Sequence, residues 1–480
     1  MPVLSNCQPE RVFHYFEEIC NIPHPSYHEK EISDYLVAFA KEHGLEYYQD
    51  DLYNVIMIKE ATAGYEDVEP IVIQGHMDMV AEKEADCSKD MYKEGLDLEI
   101  IDGFVSAKGT TLGADDGIAV AYALALLEDE SLKHPRLEVI ITVSEEVGME
   151  GAAGIDVSML KGRRLLNIDS EAEGIFTVGC AGGCRLNINL PVARQEMSGV
   201  RLDIEVKNCT GGHSGTEIIR GRANATYIVN RLLSAAREVA DLAVVSFEGG
   251  KMDNAIPRKT SCSVLVEADK AKVALTAINA EWQAISSEYA ITDPEMELFL
   301  EDSQAQENAV TFSDSAKILG LLSSLPDGVQ AMSHDIEGLV ETSLNLGILL
   351  LTEDQFKISQ SVRSAVNTAK NALVRKCCQV AHCFGADTDT HGEYPAWEFV
   401  RESKFRDTMV EIYEDMFGSK PVVETMHAGL ECGLLASKMP GLDAVSIGPE
   451  LYDIHTPQER LSIESTARYY DFVRKIIEHK

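Results

Sequence analysis

Three stretches share one make-up: Glu-Pro-Ile-Val-Ile-Gln-Gly-His-Met-Asp at 69–78, Leu-Glu-Val-Ile-Ile-Thr-Val-Ser-Glu-Glu at 137–146, and Leu-Leu-Asn-Ile-Asp-Ser-Glu at 165–171. Each is a short apolar run that ends in His, Asp or Glu. Short runs rich in Val and Ile, closed by polar residues, read as buried strands. The spacing predicts helices between them, over the Ala-rich Asp116–Leu127 and over Gly151–Met159. Upstream, Asn54–Lys59 reads as a further strand. Ser26-x-x-Glu29 reads as a capping box for a helix running to about His43, which Gly44 ends. This rhythm predicts an α/β fold, a mostly parallel sheet sandwiched by helices.

Working outward, the style changes at Cys180-Ala181-Gly182-Gly183. Arg185–Leu190, Arg201–Val206 and Ser261–Glu267 read as strands, interleaved with helices over Asn224–Val239 and Lys270–Glu288. A like stretch follows, with a helix over Ser313–Leu325, strands over Glu341–Leu351 and Gln355–Arg363, and a helix over Ser364–Phe384. This is an α+β pattern, an antiparallel sheet with helices on one face, and two units of similar size suggest a duplicated module. After Tyr394-Pro395-Ala396-Trp397, a helix (Ser403–Met416) and a strand (Ala444–Ile447) restore the first style. The expected organisation is one α/β domain, residues 1–183 and 398–480, interrupted by an inserted α+β domain, residues 184–397.

Composition narrows the function. With 42 Lys+Arg against 79 Asp+Glu, the net charge is 42 − 79 = −37. Such a chain is a poor partner for nucleic acid or an anionic membrane face. Acidity suits a divalent-cation site, and equally suits simple solubility. The 11 Cys form no C-x-x-C pair, which argues against a zinc ribbon and for reduced thiols. Met1–Ser5 carries no basic segment followed by an apolar one, and no run is long and apolar enough to span a membrane. The expectation is a soluble cytoplasmic protein.

In open α/β sheets, ligands bind beyond the carboxyl ends of the strands. His76 and Asp78, Glu145 and Glu146, Asp169, and His455 all follow such ends, and Asp115 precedes a helix in Thr111-Leu112-Gly113-Ala114-Asp115-Asp116-Gly117. That segment lacks Gly-Lys-Ser/Thr and is not a phosphate loop. Two imidazoles with several carboxylates suit zinc, manganese or cobalt better than calcium or magnesium. A dinuclear site needs a bridging carboxylate and terminal ligands for each ion. His76 with Asp169, and Glu146 with His455, bridged by Asp115, fill that requirement. His76-x-Asp78 on an extended segment puts both side chains on one face, so Asp78 can orient the imidazole. Glu145 is left to take a proton from metal-bound water.

These stretches, with Gly148-Met149-Glu150-Gly151 and Asn167-Ile168-Asp169-Ser170-Glu171, resemble the co-catalytic zinc exopeptidases that include glutamate carboxypeptidase and acetylornithine deacetylase. Gly211-Gly212-His213-Ser214-Gly215, His427-Ala428-Gly429-Leu430-Glu431-Cys432-Gly433 and Ser446-Ile447-Gly448-Pro449 with His455-Thr456-Pro457 resemble the dipeptidase branch of that family. The resemblance spans the chain. It implies two zinc ions on His76, Asp115, Glu146, Asp169 and His455, replaceable by manganese or cobalt. It implies Glu145 as general base and Asp78 as the residue orienting His76. It implies an inserted lid through which a homodimer forms, with His213 at the oxyanion, Asn254 as a lid contact and Arg363 on the terminal carboxylate of a dipeptide. Substrates such as β-alanyl-histidine and other Xaa-His dipeptides follow from it, cleaved by a metal-bridged hydroxide. One departure is Asp116, where relatives often carry Asn; it could alter metal affinity or merely cap the helix.

Plainer roles stand beside these. Glu145-Glu146 could cap a helix, His213 could sit in a turn, and Arg363 could pair with a lid carboxylate. His427 and Glu431, at an expected helix start, could pack around the site or touch substrate. The same machinery would also serve a deacylase of N-acyl amino acids, and a non-catalytic binding protein could keep the fold. The length of the inserted segment favours the dipeptidase, and the complete residue set argues against the binding protein.

Overall fold

The computed structural model describes residues 2–480, so the part of the leader reading that rests on Met1 lies outside the described residues. The chain forms two compact units. The first comprises the segment ending at Cys180, with Phe399–Thr425 and Leu430–Lys480; the second comprises Ala181–Glu398 and Met426–Gly429. The return of four residues, Met426–Gly429, to the second unit has no counterpart in the sequence reading.

The first unit is built on an eight-stranded sheet. Its strand order is Glu46–Gln49, Val55–Lys59, Leu137–Thr142, Ile71–His76, Arg164–Asn167, Asp443–Ser446, Ile175–Cys180, Val422–Met426. The four central strands are parallel. The strands before them, and Ile175–Cys180 after them, pair antiparallel. The sheet is therefore mixed, with its parallel part confined to the centre, where the His- and acid-tipped runs lie. Val55–Lys59 is as apolar as the parallel strands of the centre, and an apolar run reads the same in either direction.

Helix Ala114–Glu128 is buried on every side from Asp116 to Leu127, as a helix apolar all round must be. It shares one core with Phe13, Phe16 and Ile19 of helix Glu10–Cys20 and with Tyr469, Phe472 and Val473 of helix Ile463–Glu478. Each such buried aliphatic or aromatic side chain contributes roughly 1.5–3 kcal/mol. Among the described residues, no helix is long and apolar enough to cross a membrane.

The expected capping box is not made. Helix Lys30–Glu42 has no side-chain cap. Ser26 Oγ instead donates to Asp78 Oδ2 at 2.8 Å, and Glu29 accepts the N–H and hydroxyl of Ser144 at 3.0 and 2.8 Å. Both residues are drawn away from the local helix to the ends of other strands. Gly44 does end the helix, with φ +64°. The helix expected over Gly151–Met159 spans only Glu150–Gly154.

The second unit carries a nine-stranded sheet. Along it run Glu297–Val310, Arg194–Lys207, Thr260–Val266, Ala243–Gly249, Val340–Leu351, Gln355–Ser364, Gly182–Pro191 and Asp387–Tyr394, with Gly328–Met332 beside Val340–Leu351. Its pairings are antiparallel. Helices Ala225–Arg237, Ala271–Glu288, Phe312–Ser324 and Asn367–Cys383 bury their apolar faces with the sheet in one core. Among the described residues, the sheet's halves join where Glu248 and Gly249 pair with Leu350 and Leu349.

Candidate active site

In the first unit, the carboxyl ends of the central strands deliver the polar groups. His76 closes its own strand. Glu145 and Glu146 follow Leu137–Thr142, Asp169 follows Arg164–Asn167, and His455 lies on the loop beyond Asp443–Ser446 with φ +60°. Asp115 stands at the kinked start of segment Ala114–Glu128, where its backbone is extended rather than helical (φ −85°, ψ 102°).

These residues meet. His76 Nε2 lies 3.3 Å from Asp115 Oδ1 and 3.5 Å from Asp169 Oδ1. His455 Nε2 lies 3.0 Å from Asp115 Oδ2 and 2.8 Å from Glu146 Oε1. Asp115 thus turns one oxygen to each imidazole. Burial would raise its carboxyl, yet the hydrogen bonds to His455 and His76 hold it well below the usual range. The same contacts with Asp115 and Glu146 push His455 up to about 11.

The donor set fits divalent ions. Three groups bring one donor atom each within 4.8 Å of one another: Asp115, Glu146 and His455; His76, Asp116 and Asp169; and His76, Glu145 and Glu146. Glu146 Oε1 is buried and takes part in no hydrogen bond, although His455 Nε2 is 2.8 Å away. Nitrogen and oxygen donors aimed at shared points suit zinc, manganese or cobalt.

Asp78 does more than face His76. His76 Nδ1 sits 3.0 Å from the Asp78 carbonyl and 3.4 Å from its Oδ1. The same carboxylate accepts the N–H of Glu145 at 3.0 Å and of Glu146 at 3.3 Å. One buried Asp therefore aligns the imidazole and the acidic turn together. Burial pushes Glu145 well up; Asp169, Glu431 and Glu146 add to this, and His76 opposes it. A carboxylate so placed holds a proton more tightly than an exposed Glu.

The second unit brings together a separate set. His213 pairs with Ala255 on a two-stranded ladder, and the Asn254 carbonyl accepts the Ser214 N–H at 2.8 Å. His213 Nδ1 accepts the N–H groups of Gly215 and Thr216 at 3.3 and 3.2 Å. Those bonds assign the tautomer, leaving the proton on Nε2. Burial and the nearby Arg363 charge lower the His213 pKa, which keeps the ring neutral. Arg363 Nη1 donates to Tyr394 Oη at 3.0 Å, and its buried Nε has no partner. His427 is buried against Ser343 Oγ at 2.7 Å.

Residues 72–479 match the model of peptidase family M20/M25/M40. The chain belongs to this family. It is 38% identical over 480 residues to the cytosol non-specific dipeptidase of Escherichia coli K12, covering 99% of each chain. The crystal structure of aminoacylhistidine dipeptidase from Vibrio alginolyticus is similar with a TM-score of 0.93 and 35% identity, over 99% of this chain and 97% of that one. The aminopeptidase PepT of Bacillus cereus shares the fold, with a TM-score of 0.58 and 18% identity over 98% of each chain.

Of three further acidic residues of this M20 peptidase, the sequence reading left Asp116 and Glu431 open between two roles each and did not single out Glu459. Asp116 makes no helix cap. Its Oδ2 accepts the His76 N–H at 3.2 Å, and it packs so tightly under the strand end that a Cβ on Gly75 would fall 2.5 Å from it. Glu431 is fully buried, accepting Gln74 Nε2 and Thr142 Oγ1 at 2.5 Å each, while Gln74 Oε1 accepts Asn167 Nδ2 at 2.6 Å. It links three central strands just before the ends that bear the site. Glu459 caps helix Ala114–Glu128 from outside, accepting the N–H groups of Leu112, Gly113, Ala114 and Asp115 at 2.8, 3.1, 2.8 and 3.3 Å. A carboxylate there also faces the positive end of the helix dipole. The only signal for Glu459 was its place four residues after His455. Glu459→Ala is expected to cost about 3 kcal/mol or more, since four backbone donors, three of them buried, lose their carboxylate acceptor. Denaturant midpoints would read this, and Glu459→Gln should lose less than half as much.

Proposed function

We infer that this peptidase is a metal-dependent dipeptidase, and one observation carries the reading: Asp115 turns one carboxylate oxygen to each of two imidazoles, His76 and His455. The identity to the Escherichia coli and Vibrio alginolyticus dipeptidases over nearly the whole chain supports a dipeptide substrate over an N-acyl amino acid. His76 and Asp169 would hold one ion, Glu146 and His455 the other, with Asp115 between them. The ions proposed are zinc, with manganese or cobalt as substitutes.

Bound divalent ions would polarise the scissile carbonyl and lower the pKa of a water molecule. Glu145 takes the proton of the attacking water and returns it to the leaving amine. Asp78 keeps His76 and the Glu145–Glu146 turn aligned throughout. His213 donates its Nε2–H to the oxygen on which negative charge develops. Arg363 offers a planar fork to the terminal carboxylate of the substrate, and Asn254 makes a further substrate contact. The second unit also serves as the homodimer surface, and the protein works in the cytoplasm on Xaa-His and related dipeptides.

Two tests bear on this reading. The protein should release amino acids from free-amine dipeptides and leave N-acetyl amino acids intact; cleavage of the N-acetyl compounds alone would make it a deacylase. Arg363→Lys should raise KM about tenfold or more with a smaller change in kcat, because an ammonium cannot reproduce the paired hydrogen bonds. An unchanged KM would remove Arg363 from the substrate site.

A further inference from the structure

Strand Val340–Leu351 carries a buried amide for which the chemistry above has no use. Asn345 is 1% exposed. Its Nδ2 donates to the carbonyl of Asp253 and to the carbonyl of Ala255, each at 2.9 Å. These two carbonyls flank Asn254. A primary amide is the short neutral side chain with two donors on one nitrogen; Ser has one donor and Asp has none. Asn345 Oδ1 is buried without a partner, so the two donor bonds alone set the orientation of the amide.

Neighbouring features hold the same loop. Two residues on, a Cβ at Gly347 would fall 2.5 Å from the Asp253 carbonyl, so only glycine lets the strand lie this close. Arg185 pairs with the Asp253 carboxylate. The Asn254 carbonyl accepts the Ser214 N–H, and Ala255 pairs with His213. The loop that Asn345 clasps thus carries Asn254 and braces His213. On the same strand Ser343 stands opposite Arg363 and holds His427.

We propose that Asn345 is a positioning residue: by clasping both peptides around Asn254 it sets Asn254, and through the short ladder His213, in register with Arg363. The inference rests on the substrate roles proposed above for those three residues. Asn345→Ser removes one donor, and Asn345→Asp replaces the donors by oxygens facing two carbonyls. In the full-length, metal-loaded protein, either variant should raise KM for a dipeptide about tenfold or more through Asn254 and lower kcat through His213, with metal content unchanged.

A double-mutant cycle separates positioning from general damage. In an Asn254→Ala/His213→Ala background, which removes both side chains that the clasp is proposed to place, Asn345→Ser should add less than a twofold further loss in kcat/KM. The same loss in both backgrounds, or no change in KM, would overturn the proposal. Amide hydrogen exchange gives a readout that needs no substrate. Exchange over residues 250–256 and at the Ser214 amide should quicken in Asn345→Ser; unchanged exchange would overturn the clasp even if the protein cleaves dipeptides. A wild-type protein that cleaves no dipeptide would instead sink the functional reading and leave the exchange result to stand. If Asn345→Asp fails to fold, Asn345→Ser decides.

Discussion

Glu145→Ala is expected to lower kcat by about 10²–10⁴-fold, the usual contribution of a general acid–base, while two ions stay bound per chain. The fold of the turn does not depend on this side chain. Its backbone N–H is held by Asp78 Oδ1, and Ser144 before it is held by Glu29. The imidazole contacts of the site run to Asp78, Asp115, Asp169 and Glu146 rather than to Glu145. Glu145 is therefore free to move a proton, and its raised affinity for that proton comes from burial. Elemental analysis beside steady-state kinetics separates the roles. Loss of an ion in Glu145→Ala would make it a ligand, as the His76, Glu145 and Glu146 grouping permits. Near-normal turnover would end its part in the reaction.

Asp115→Ala should be as damaging for a different reason. Each of its oxygens serves one imidazole, so one truncation disturbs both halves of the site. At least one of two ions should be lost, with activity falling on the order of 10³-fold or more, since bound ions supply several kcal/mol of transition-state stabilisation. The helix should survive the change, because Glu459 holds its start through backbone N–H groups. A folded Asp115→Ala protein with full metal content and activity would exclude the bridging role. In Glu145→Ala chemistry goes and metal stays; in Asp115→Ala both go.

The sequence announced the site more clearly than the fold around it. His76, Glu145–Glu146 and Asp169 stand where apolar runs stop, at the carboxyl ends of the central strands, where buried polar groups find one another as partners. That signal is local. Strand direction is not: Val55–Lys59 and Leu137–Thr142 pair antiparallel, yet both look like interior strands. Strand Glu297–Val310 is mostly exposed, with four acids along the edge of its sheet, and offers no apolar alternation to read. Its charges suit an edge that must not pair with other chains.

Long-range recruitment was equally hidden. Ser26 and Glu29 have the spacing of a cap, but Asp78 and Ser144 claim them from 52 and 115 residues away. Glu459 acts on backbone N–H groups more than 340 residues before it, where no side-chain pattern could reveal it. Asn345 is invisible for the same reason, because its partners are carbonyls.

The most direct measurement is amino-acid release from β-alanyl-histidine, Gly-His, Cys-Gly, Ala-Ala, a tripeptide and an N-acetyl amino acid. Each is assayed on metal-stripped protein and again after adding zinc, manganese or cobalt. Stripped protein should release nothing, added metal should restore cleavage of the dipeptides, and the N-acetyl compound should stay untouched. Undiminished cleavage by stripped protein, or no dipeptide cleavage with any metal, would contradict it.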